Sequence, residues 1–460
     1  MNLKFTYRDN NDRLLLIFAG WGMDAEVFDG LRRPGYDVAV AWDYRNEEAD
    51  LTPLSSYGEI ALMAWSMGVA EADRILSGHD LPLSLTVAVN GTLHPVDDRK
   101  GIPAAIYDGT LNGLNERSLM KFHRRMCGSS ESFARFKTRM PARDLTELAD
   151  ELRAIRQRPY THDAPHLRWD KAIVSDNDAI IPTANQLEAW CGTEITLIPG
   201  AHLPDWQTLA DTLLIDKALV HDRFAKGFAT YEREADAQTH AAQTLWRLWQ
   251  QHCTTGTTGT LIEIGYGTGI FTRRYAPVVS SATDWQLWDL VEPSGTLPAN
   301  ARAVTCDAES RIHFLPDSSV SKIVSASAIQ WFNSLPAFLR QAERVLEPGG
   351  ELIVSTFGPL TFRELTAAGG APLPYPDMTS LRRYLTDAGL TVTHLSDEII
   401  GKRFESAHDV LRHIRATGVN AVSTTASTSR VRGILANYPL EADGTAILTY
   451  QPIYIIASKS

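Results

Sequence analysis

A serine, an acid and a histidine follow three successive strand-like segments in the first half of the chain. Ser66 lies in Ala-Trp-Ser-Met-Gly, between an apolar run and a helical run. A sharp strand-to-helix turn of this kind lifts a serine above a sheet, where it can act as a nucleophile. Asp178 and His202 follow later strand-like runs, so the chain order Ser, Asp, His predicts a hydrolytic triad. In that triad His202 takes the serine proton and Asp178 orients the imidazole, with Asp176 as an alternative for the acid.

A glycine-rich loop after the first long apolar run could form half of an oxyanion hole. The sequence at 18–23 is Phe-Ala-Gly-Trp-Gly-Met, and the glycines beside Trp21 let the backbone approach a substrate. Ala64 stands where a nucleophile turn usually has a glycine, but it is also small. We therefore expect the backbone N–H groups of Trp21 and Met67 to bind the oxyanion together.

These two motifs resemble the BioG group of pimeloyl-acyl-carrier-protein methyl ester esterases. The resemblance covers roughly residues 12 to 210 and rests on Phe-Ala-Gly-Trp-Gly-Met and Ala-Trp-Ser-Met-Gly-Val. It implies an α/β-hydrolase fold with a helical lid, a serine esterase activity, and acyl carrier protein as the partner.

A helical insertion between the core strands has a skewed charge. Residues 117–158 contain eleven basic and five acidic side chains. Arg124 and Arg125 share one helical face with Arg117 and Lys121, because these positions are separated by one or two turns. A basic stripe on an acidic protein can attract an acidic partner. We expect Arg124 and Arg125 to bind the carrier protein, and a solvated lid surface is the alternative.

The second half of the chain contains a strand-like run that ends in three alternating glycines. The sequence at 261–269 is Leu-Ile-Glu-Ile-Gly-Tyr-Gly-Thr-Gly, followed by a helical run. Such glycines keep Cβ atoms away where a backbone runs against a nucleotide. The spacing does not fit a dinucleotide site, because Ile270 stands where the third glycine would be required.

The Glu-x-Gly-x-Gly-x-Gly pattern resembles motif I of class I S-adenosylmethionine-dependent methyltransferases. The resemblance implies a Rossmann-like fold and S-adenosylmethionine as the methyl donor. Glu292 is expected to end the next strand and accept the ribose hydroxyls. Asp307 is expected to contact the adenine amino group. The predicted donor-binding residues are Glu263, Gly265, Gly267, Gly269, Glu292, Asp307 and Ser325.

The segment before this motif is similar to the N-terminal helix of the BioC family, malonyl-acyl-carrier-protein O-methyltransferases. The similarity rests on Arg-Phe-Ala-Lys-Gly-Phe-Ala-Thr-Tyr-Glu at 223–232 and His-Ile-Arg-Ala-Thr-Gly-Val-Asn at 413–420. It spans about residues 218–457 and implies that Tyr231 closes over the donor. Arg415 could pair with the free malonyl carboxylate, since a guanidinium fork fits a carboxylate, or it could be a structural surface arginine.

The composition and the order of elements fit two α/β domains. The net charge of −11 over 460 residues argues against a nucleic-acid partner. No apolar run approaches the roughly 18 to 20 residues of a membrane helix, the first residues contain no secretory segment, and no Cys-x-x-Cys pair suggests a metal site. We therefore expect a cytoplasmic protein.

Two series of strand-like runs predict domains at 1–215 and 216–460. The first series lies at 13–18, 37–41, 59–64, 83–89, 104–107, 172–174 and 194–198. The second lies near 260–264, 287–291, 303–306, 322–325, 351–356, 390–400 and 445–457.

Both halves are thus expected to act on the terminal carboxyl of a carrier-bound acyl chain. The resemblances imply a biotin-synthesis enzyme that methylates malonyl-acyl-carrier protein and hydrolyses pimeloyl-acyl-carrier-protein methyl ester. One alternative is a hydrolase–methyltransferase pair that acts on another small-molecule or polyketide ester. Another is an inactive first domain that only docks the carrier protein.

Overall fold

The computed structural model describes residues 1–46, 50–160, 166–253, 258–293, 297–370, 373, 375–417 and 428–460. These residues form two compact units, Met1–Leu214 and Ile215–Ser460, each with a seven-stranded sheet. The last three residues of the motif at 413–420, Gly418 to Asn420, lie outside the described residues. Over the described ranges, every helix is too short or too polar to cross a membrane.

The first unit is built on a mostly parallel sheet. Its strands are β1 Asn2–Tyr7, β2 Arg13–Phe18, β3 Tyr36–Trp42, β4 Glu59–Trp65, β5 Leu83–Val89, β6 Lys171–Ser175 and β7 Glu194–Ile198. They pair in the order β1-β3-β2-β4-β5-β6-β7, and β1 alone among them runs antiparallel to its neighbour. The central strands β2 and β4 are apolar and buried along nearly their whole length, as expected for parallel strands covered on both faces. The turns after β2, β4, β6 and β7 therefore meet at one edge of the sheet.

Seven α-helices surround this sheet within the described residues. They are α1 Gly68–Leu76, α2 Ala104–Asn112, α3 Glu116–Cys127, α4 Ser130–Lys137, α5 Leu145–Gln157, α6 Thr183–Ala189 and α7 Trp206–Leu213. Helices α2 to α5 lie between β5 and β6, where the helical insertion is expected. The predicted strand at 104–107 is wrong, because this run forms the first turn of α2 directly after Pro103. A short apolar run has the same appearance in a strand and in a helix.

The second unit begins with two long helices and continues as an α/β sandwich. Its helices are α8 Lys217–Glu234, α9 Asp236–His252, α10 Thr272–Tyr275, α11 Ala308–Arg311, α12 Leu335–Val345, α13 Arg363–Ala367, α14 Met378–Asp387, α15 Ala407–Ala416 and α16 Thr428–Asn437. Its strands are β8 Thr260–Ile264, β9 Asp284–Asp289, β10 Ala301–Thr305, β11 Val320–Ala326, β12 Leu346–Phe357, β13 Leu390–Asp397, β14 Ile400–Phe404, β15 Ala446–Tyr450 and β16 Pro452–Lys459. The predicted runs at 390–400 and 445–457 each divide into two strands.

The main sheet of this unit has the strand order of a class I methyltransferase. The order is β10-β9-β8-β11-β12-β16-β13, with the first five strands parallel and β16 antiparallel to both neighbours. Strands β14 and β15 form a separate antiparallel pair. The Rossmann-like fold predicted from the glycine motif is confirmed.

The turn from β4 into α1 brings two backbones unusually close together. Ser66 has a positive φ of 57°, a backbone conformation that residues other than glycine rarely adopt. A Cβ on Gly68 would lie 2.4 Å from the carbonyl oxygen of Ala19 and 2.6 Å from that of Phe18. These oxygens belong to the last residue of the central strand β2 and to the residue after it. Moving this backbone aside would disrupt the pairing of β2 with its neighbouring strands. Glycine is therefore required at 68 for helix α1 to start where it does.

Replacing Gly68 with alanine should destabilise the first unit. We expect Gly68→Ala to lower its free energy of unfolding by about 3 kcal/mol, because an added methyl overfills a packed site. Gly109→Ala is the control, since a Cβ there meets nothing within 4 Å and alanine favours a helix. Denaturant unfolding of both variants measures the difference, and equal stabilities would contradict the close approach.

Candidate active sites

Ser66, Asp178 and His202 meet at the edge of the first sheet where β4, β6 and β7 end. His202 Nε2 lies 2.9 Å from Ser66 Oγ, and His202 Nδ1 lies 2.8 Å from Asp178 Oδ2. An ionised carboxylate only accepts hydrogen bonds, so Nδ1 donates to Asp178 and Nε2 accepts from the serine hydroxyl. The three residues are 5, 8 and 1% exposed, in the order Ser66, Asp178, His202. The serine thus has a base within reach of its proton.

Asp178, and not Asp176, is the acid that contacts the histidine. Asp178 Oδ1 accepts the backbone N–H groups of Ile180 and Ile181 at 2.8 and 3.0 Å, and Oδ2 also accepts Gln186 Nε2 at 2.8 Å. Asp176 is exposed and accepts a backbone N–H from the loop after β7. Gln186 is a fully buried residue of α6 that the sequence does not single out, because one glutamine on a short helix carries no pattern.

The backbone around the histidine is held from two sides. The indole Nε1 of Trp65 donates to the carbonyl oxygen of His202 at 2.9 Å. Asn90 Nδ2 donates to the same oxygen at 2.9 Å. Asn90 itself has a positive φ of 44°, so two strained residues, Ser66 and Asn90, flank the site. Backbone strain of this kind persists where surrounding contacts fix it, as it often does at active sites.

The loop between β2 and β3 places Trp21 beside the serine turn. Across the part of the chain that the structure describes, neither the N–H of Trp21 nor that of Met67 has a protein acceptor. The indole of Trp21 donates to Leu148 O at 2.9 Å, and the next N–H, that of Gly22, donates to Glu151 Oε2 at 3.4 Å. Leu148 and Glu151 belong to α5, so the insertion fixes the loop that carries half of the predicted oxyanion hole.

Glu151 is a buried carboxylate at the centre of this support. Its Oε1 accepts the N–H of Tyr44 at 2.8 Å, and its Oε2 accepts Arg143 Nη1 at 2.6 Å. Burial raises the pKa of Glu151, and the opposing effect of Arg143 only partly offsets the shift. The sequence shows Glu151 only as one of five acids in a basic insertion. Its backbone partners, Gly22 and Tyr44, lie on distant loops, and no local signal reveals them.

The predicted basic stripe faces solvent on α3. Arg117, Lys121, Arg124 and Arg125 are all exposed, and His123 and Met126 are buried on the opposite face. The Arg124 guanidinium lies 4.9 Å from the centre of the Phe133 ring, which orients this charge. The stripe therefore presents fixed positive charge on the outside of the insertion.

A cavity opens in the second unit where β8, β9 and β10 end. Among the predicted residues, those on its wall are Tyr231, Gly265, Gly267 and Asp307. Gly265 and Gly267 have positive φ values of 70° and 51°. A Cβ on Gly265 would lie 2.2 Å from the Cβ of Ala328, so this glycine must lack a side chain. We call this the donor cavity.

The carboxylate at the end of β9 is Asp289, so the prediction that Glu292 ends this strand is wrong. Trp288 pairs with Ile264 across the parallel strands, so Asp289 is the residue beside the glycine turn. Its Oδ2 accepts the N–H of Gly267 at 2.8 Å, and burial raises its pKa. Glu292 lies three residues beyond the strand, is exposed, and does not line the cavity.

Three other predicted donor residues lie behind the cavity wall and not on it, namely Glu263, Gly269 and Ser325. Glu263 Oε2 accepts hydrogen bonds from Thr272 Oγ1 at 2.7 Å and from Tyr275 OH at 2.5 Å, and burial raises its pKa to about 7. Ser325 Oγ donates to Ile264 O at 2.9 Å. Strand side chains alternate between the two faces, so these side chains brace α10 and β8 and do not reach the donor.

Asp307 lies at the start of α11 with a cation beside it. Its Oδ1 accepts the N–H of Glu309 at 3.1 Å, and Lys217 Nζ lies 3.5 Å from the same oxygen and 3.0 Å from Glu309 Oε2. Lys217 begins α8 and also lines the donor cavity. The sequence does not reveal it, since a lysine at a helix start has no distinguishing pattern.

Arg415 does not reach either of the cavities that lie beside Tyr231. Helix α15 buries His413 and Ile414 against the unit, and Arg415 points to solvent. It is absent from the walls of the donor cavity and of the smaller cavity next to it. Arg415 is thus an exposed side chain, as in the alternative, and its pairing with the malonyl carboxylate stays a prediction.

Comparisons with known proteins match each half of the chain to a family. Residues 1–206 match the family model for pimeloyl-ACP methyl esterase BioG, and residues 262–354 match a methyltransferase domain model. The chain is 37% identical to malonyl-acyl-carrier protein O-methyltransferase of Bacteroides fragilis over 97% of this chain and 92% of the relative. The corresponding protein of Bacteroides thetaiotaomicron is 31% identical over 53% of this chain and 99% of its own length.

A solved structure also matches the first unit. The crystal structure of BioG from Haemophilus influenzae covers 44% of this chain and 94% of its own, at 39% identity and a TM-score of 0.41. The two resemblances predicted from the motifs are confirmed by the family models and the full-length relative. The chain belongs to the malonyl-acyl-carrier protein O-methyltransferase family, and it carries a BioG domain ahead of its methyltransferase domain.

Proposed function

We propose that this chain is a bifunctional enzyme of biotin synthesis that adds and removes the same methyl ester. The second unit methylates the free carboxylate of malonyl-acyl-carrier protein. The first unit hydrolyses pimeloyl-acyl-carrier-protein methyl ester. The observation that carries the proposal is that one chain contains both a hydrogen-bonded Ser66–His202–Asp178 set and a donor cavity.

S-adenosylmethionine is the methyl donor, and the residues of the donor cavity fit it. It supplies a methyl group on a positively charged sulfur. Asp289 offers a partly buried carboxylate that accepts hydrogen bonds from the ribose hydroxyls, and Asp307 offers one for the adenine amino group. Gly265 and Gly267 leave room for the nucleoside because they lack Cβ atoms, and Tyr231 covers the cavity from α8.

The second unit needs no catalytic base. The acceptor carboxylate is already anionic at neutral pH, so no proton has to be removed before the methyl transfer. The residues of the cavity therefore act by aligning the two reactants and excluding water.

The first unit is proposed to have the α/β-hydrolase fold with α2 to α5 as its lid. Ser66 attacks the ester carbonyl while His202 takes its proton, and Asp178 stabilises the imidazolium. The N–H groups of Trp21 and Met67 bind the developing oxyanion. His202 then gives the proton to the departing methoxide, methanol leaves, and water hydrolyses the Ser66 acyl ester by the same route.

The two reactions have a common purpose. A carboxylate is costly to bury in the apolar channels of enzymes that extend acyl chains. Methylation of the malonyl group removes that charge, and hydrolysis at the pimeloyl length restores it. Acyl carrier protein is the partner of both units, and the basic stripe on α3 is its proposed contact on the first.

Ser66→Ala should separate the two activities. Loss of the nucleophile is expected to reduce methanol release from pimeloyl-acyl-carrier-protein methyl ester by about 10⁴-fold or more. Methylation of malonyl-acyl-carrier protein in the same preparation should be unchanged. Gly265→Ala is the reciprocal variant, since its Cβ would collide with Ala328 in the donor cavity. If wild-type protein releases no methanol, the first unit is an inactive docking module and the esterase proposal fails.

Asp289→Asn should weaken donor binding, and Glu292→Gln should not. Loss of the charge of Asp289 weakens its hydrogen bonds to the ribose hydroxyls, each worth about 1.5 to 3 kcal/mol. We expect the Kd for S-adenosylmethionine to rise about 10- to 100-fold, as measured by calorimetry. Glu292→Gln is a matched control at an exposed carboxylate three residues away. A larger effect at Glu292 would refute the assignment from strand register.

Reversing the charge of the α3 stripe should affect carrier-bound esters only. For Arg124→Glu with Arg125→Glu, kcat/KM for pimeloyl-acyl-carrier-protein methyl ester should fall at least about tenfold at low salt and less at high salt. Hydrolysis of a free methyl ester should be unchanged. Arg153→Glu with Arg156→Glu makes the same charge change on α5, at arginines already paired with Asp150 and Asp108. Equal losses on bound and free esters would rule out carrier docking at the stripe.

A further inference from the structure

A smaller cavity adjoins the donor cavity in the second unit. Five side chains line both cavities, namely Phe224, Tyr231, Gln238, Ser327 and Trp331. Because methyl transfer needs the donor and the acceptor in contact, the acceptor must lie where these two cavities meet. The shared residues are therefore the ones that can touch both reacting groups.

Two polar groups at this junction are buried and unsatisfied. Gln238 is 6% exposed, and its Oε1 has no hydrogen-bond partner among the described residues. The hydroxyl of Ser327 is likewise buried and without a partner in the described part of the chain. The backbone of Ser327 is fixed at a φ of 60°, with its N–H donating to Ser355 O at 3.1 Å. Buried polar atoms left this way cost stability unless a ligand completes them.

The smaller cavity contains no fixed positive charge on its described wall. None of its described lining residues is a lysine or an arginine. In the donor cavity, Lys217 is already paired with Asp307 and Glu309. An anion at the junction would therefore meet neutral hydrogen-bond donors and aromatic rings.

We propose that Gln238, together with the hydroxyl of Ser327, binds the acceptor carboxylate at the point of methyl transfer. The inference rests on the proposed methyltransferase function and deepens it. The side-chain amide of Gln238 presents its NH₂ group in place of its oxygen after a half-turn about its last bond, and Ser327 donates through its hydroxyl. These neutral groups take the role that the sequence suggests for Arg415.

The charges of the reaction explain why neutral donors suit this position. A carboxylate oxygen forms a bond to the methyl carbon as the carbon–sulfur bond breaks, and the bonding pair stays on sulfur. A negative and a positive group both become neutral, so charge disappears toward the transition state. An arginine beside the carboxylate would stabilise the charged reactants more than the transition state and would slow the transfer. A glutamine and a serine orient the carboxylate with less of this penalty.

Binding of malonyl-pantetheine to the full-length chain tests the subsite without turnover. The protein is first saturated with sinefungin, a donor analogue with a positive amine in place of the sulfonium, and the Kd is measured by calorimetry. We expect Gln238→Leu to raise this Kd at least about tenfold and Ser327→Ala about fivefold, from the loss of hydrogen bonds to a charged group. Gln238→Glu should raise it more than Gln238→Leu, because it places a like charge beside the carboxylate.

The order of the two Gln238 variants separates a binding role from a packing role. Glutamate has nearly the shape of glutamine, so a packing role predicts that Gln238→Glu is the milder change. Gln243→Leu, on the exposed face of the same helix, is the control and should stay within twofold of wild type. Thermal unfolding of Gln238→Leu and of Ser327→Ala should stay close to wild type, which shows that these variants are folded. Gln238→Glu binding as tightly as Gln238→Leu, or no binding by the wild type, would overturn the proposal.

A second measurement tests whether the positive charge beside the carboxylate comes from the donor and not from a protein side chain. With S-adenosylhomocysteine, whose sulfur is neutral, malonyl-pantetheine should bind at least about tenfold more weakly than with sinefungin, since the counter-charge is lost. Equal affinities in the two complexes would overturn the proposal. Methylation of malonyl-acyl-carrier protein by the wild type is scored separately. If the wild type does not methylate malonyl-acyl-carrier protein but the Kd values of the Gln238 variants follow the expected order, the proposed function is wrong and the proposed subsite is supported. If the wild type methylates malonyl-acyl-carrier protein but Gln238→Glu binds malonyl-pantetheine more tightly than Gln238→Leu, only the proposed subsite is wrong.

Discussion

The hydrogen-bonded register between parallel strands is the constraint on which both sites depend. Neighbouring parallel strands end at a common edge, and the register decides which residue stands at that edge. In the first sheet it brings the turns after β4, β6 and β7 together, so Ser66, Asp178 and His202 meet although 136 residues separate the serine from the histidine. In the second sheet it places Asp289 beside Gly267. A shift of one residue in either sheet would separate these groups.

The residues around each site differ in how they are held. Ser66, Asp178 and His202 are held by the protein alone, through strained backbone at Ser66 and Asn90 and buried hydrogen bonds to Asp178. The junction in the second unit instead leaves Gln238 and Ser327 unsatisfied within the described residues, so ligands complete it. This difference matches the chemistry. Ester hydrolysis needs a preformed base and oxyanion site, whereas methyl transfer needs two reactants to exclude water from each other.

Local motifs explain what could be read from the sequence. The serine turn, the glycine motif and Asp307 each stand next to a strand end, so a short segment carries its own signal. The sequence pattern locates a strand end only to within a few residues. It predicts that β9 ends at Glu292, whereas the strand ends three positions earlier, at Asp289. The charge pattern indicates the helical insertion, but the apolar run at 104–107 has the appearance of a strand although it forms the first turn of α2.

The missed residues share a different property. Gln186 and Lys217 lie on helices and reach their sites through side-chain contacts, to a residue 8 positions away for Gln186 and 92 positions away for Lys217. A polar residue on a helix has the same pattern whether it faces water or a cavity. Only the packed structure distinguishes the two cases, because burial depends on which neighbours cover the helix.

Glu151 has a consequence for how the first unit can evolve. The Glu151 carboxylate connects α5 to Gly22 and Tyr44, so the insertion and the loop next to Ser66 depend on the same hydrogen-bonded residue. The insertion cannot be exchanged freely for another one, since a replacement without this acid would leave the N–H groups of Gly22 and Tyr44 without their acceptor. Substitutions on the inner side of α5 are therefore more constrained than substitutions on its exposed side.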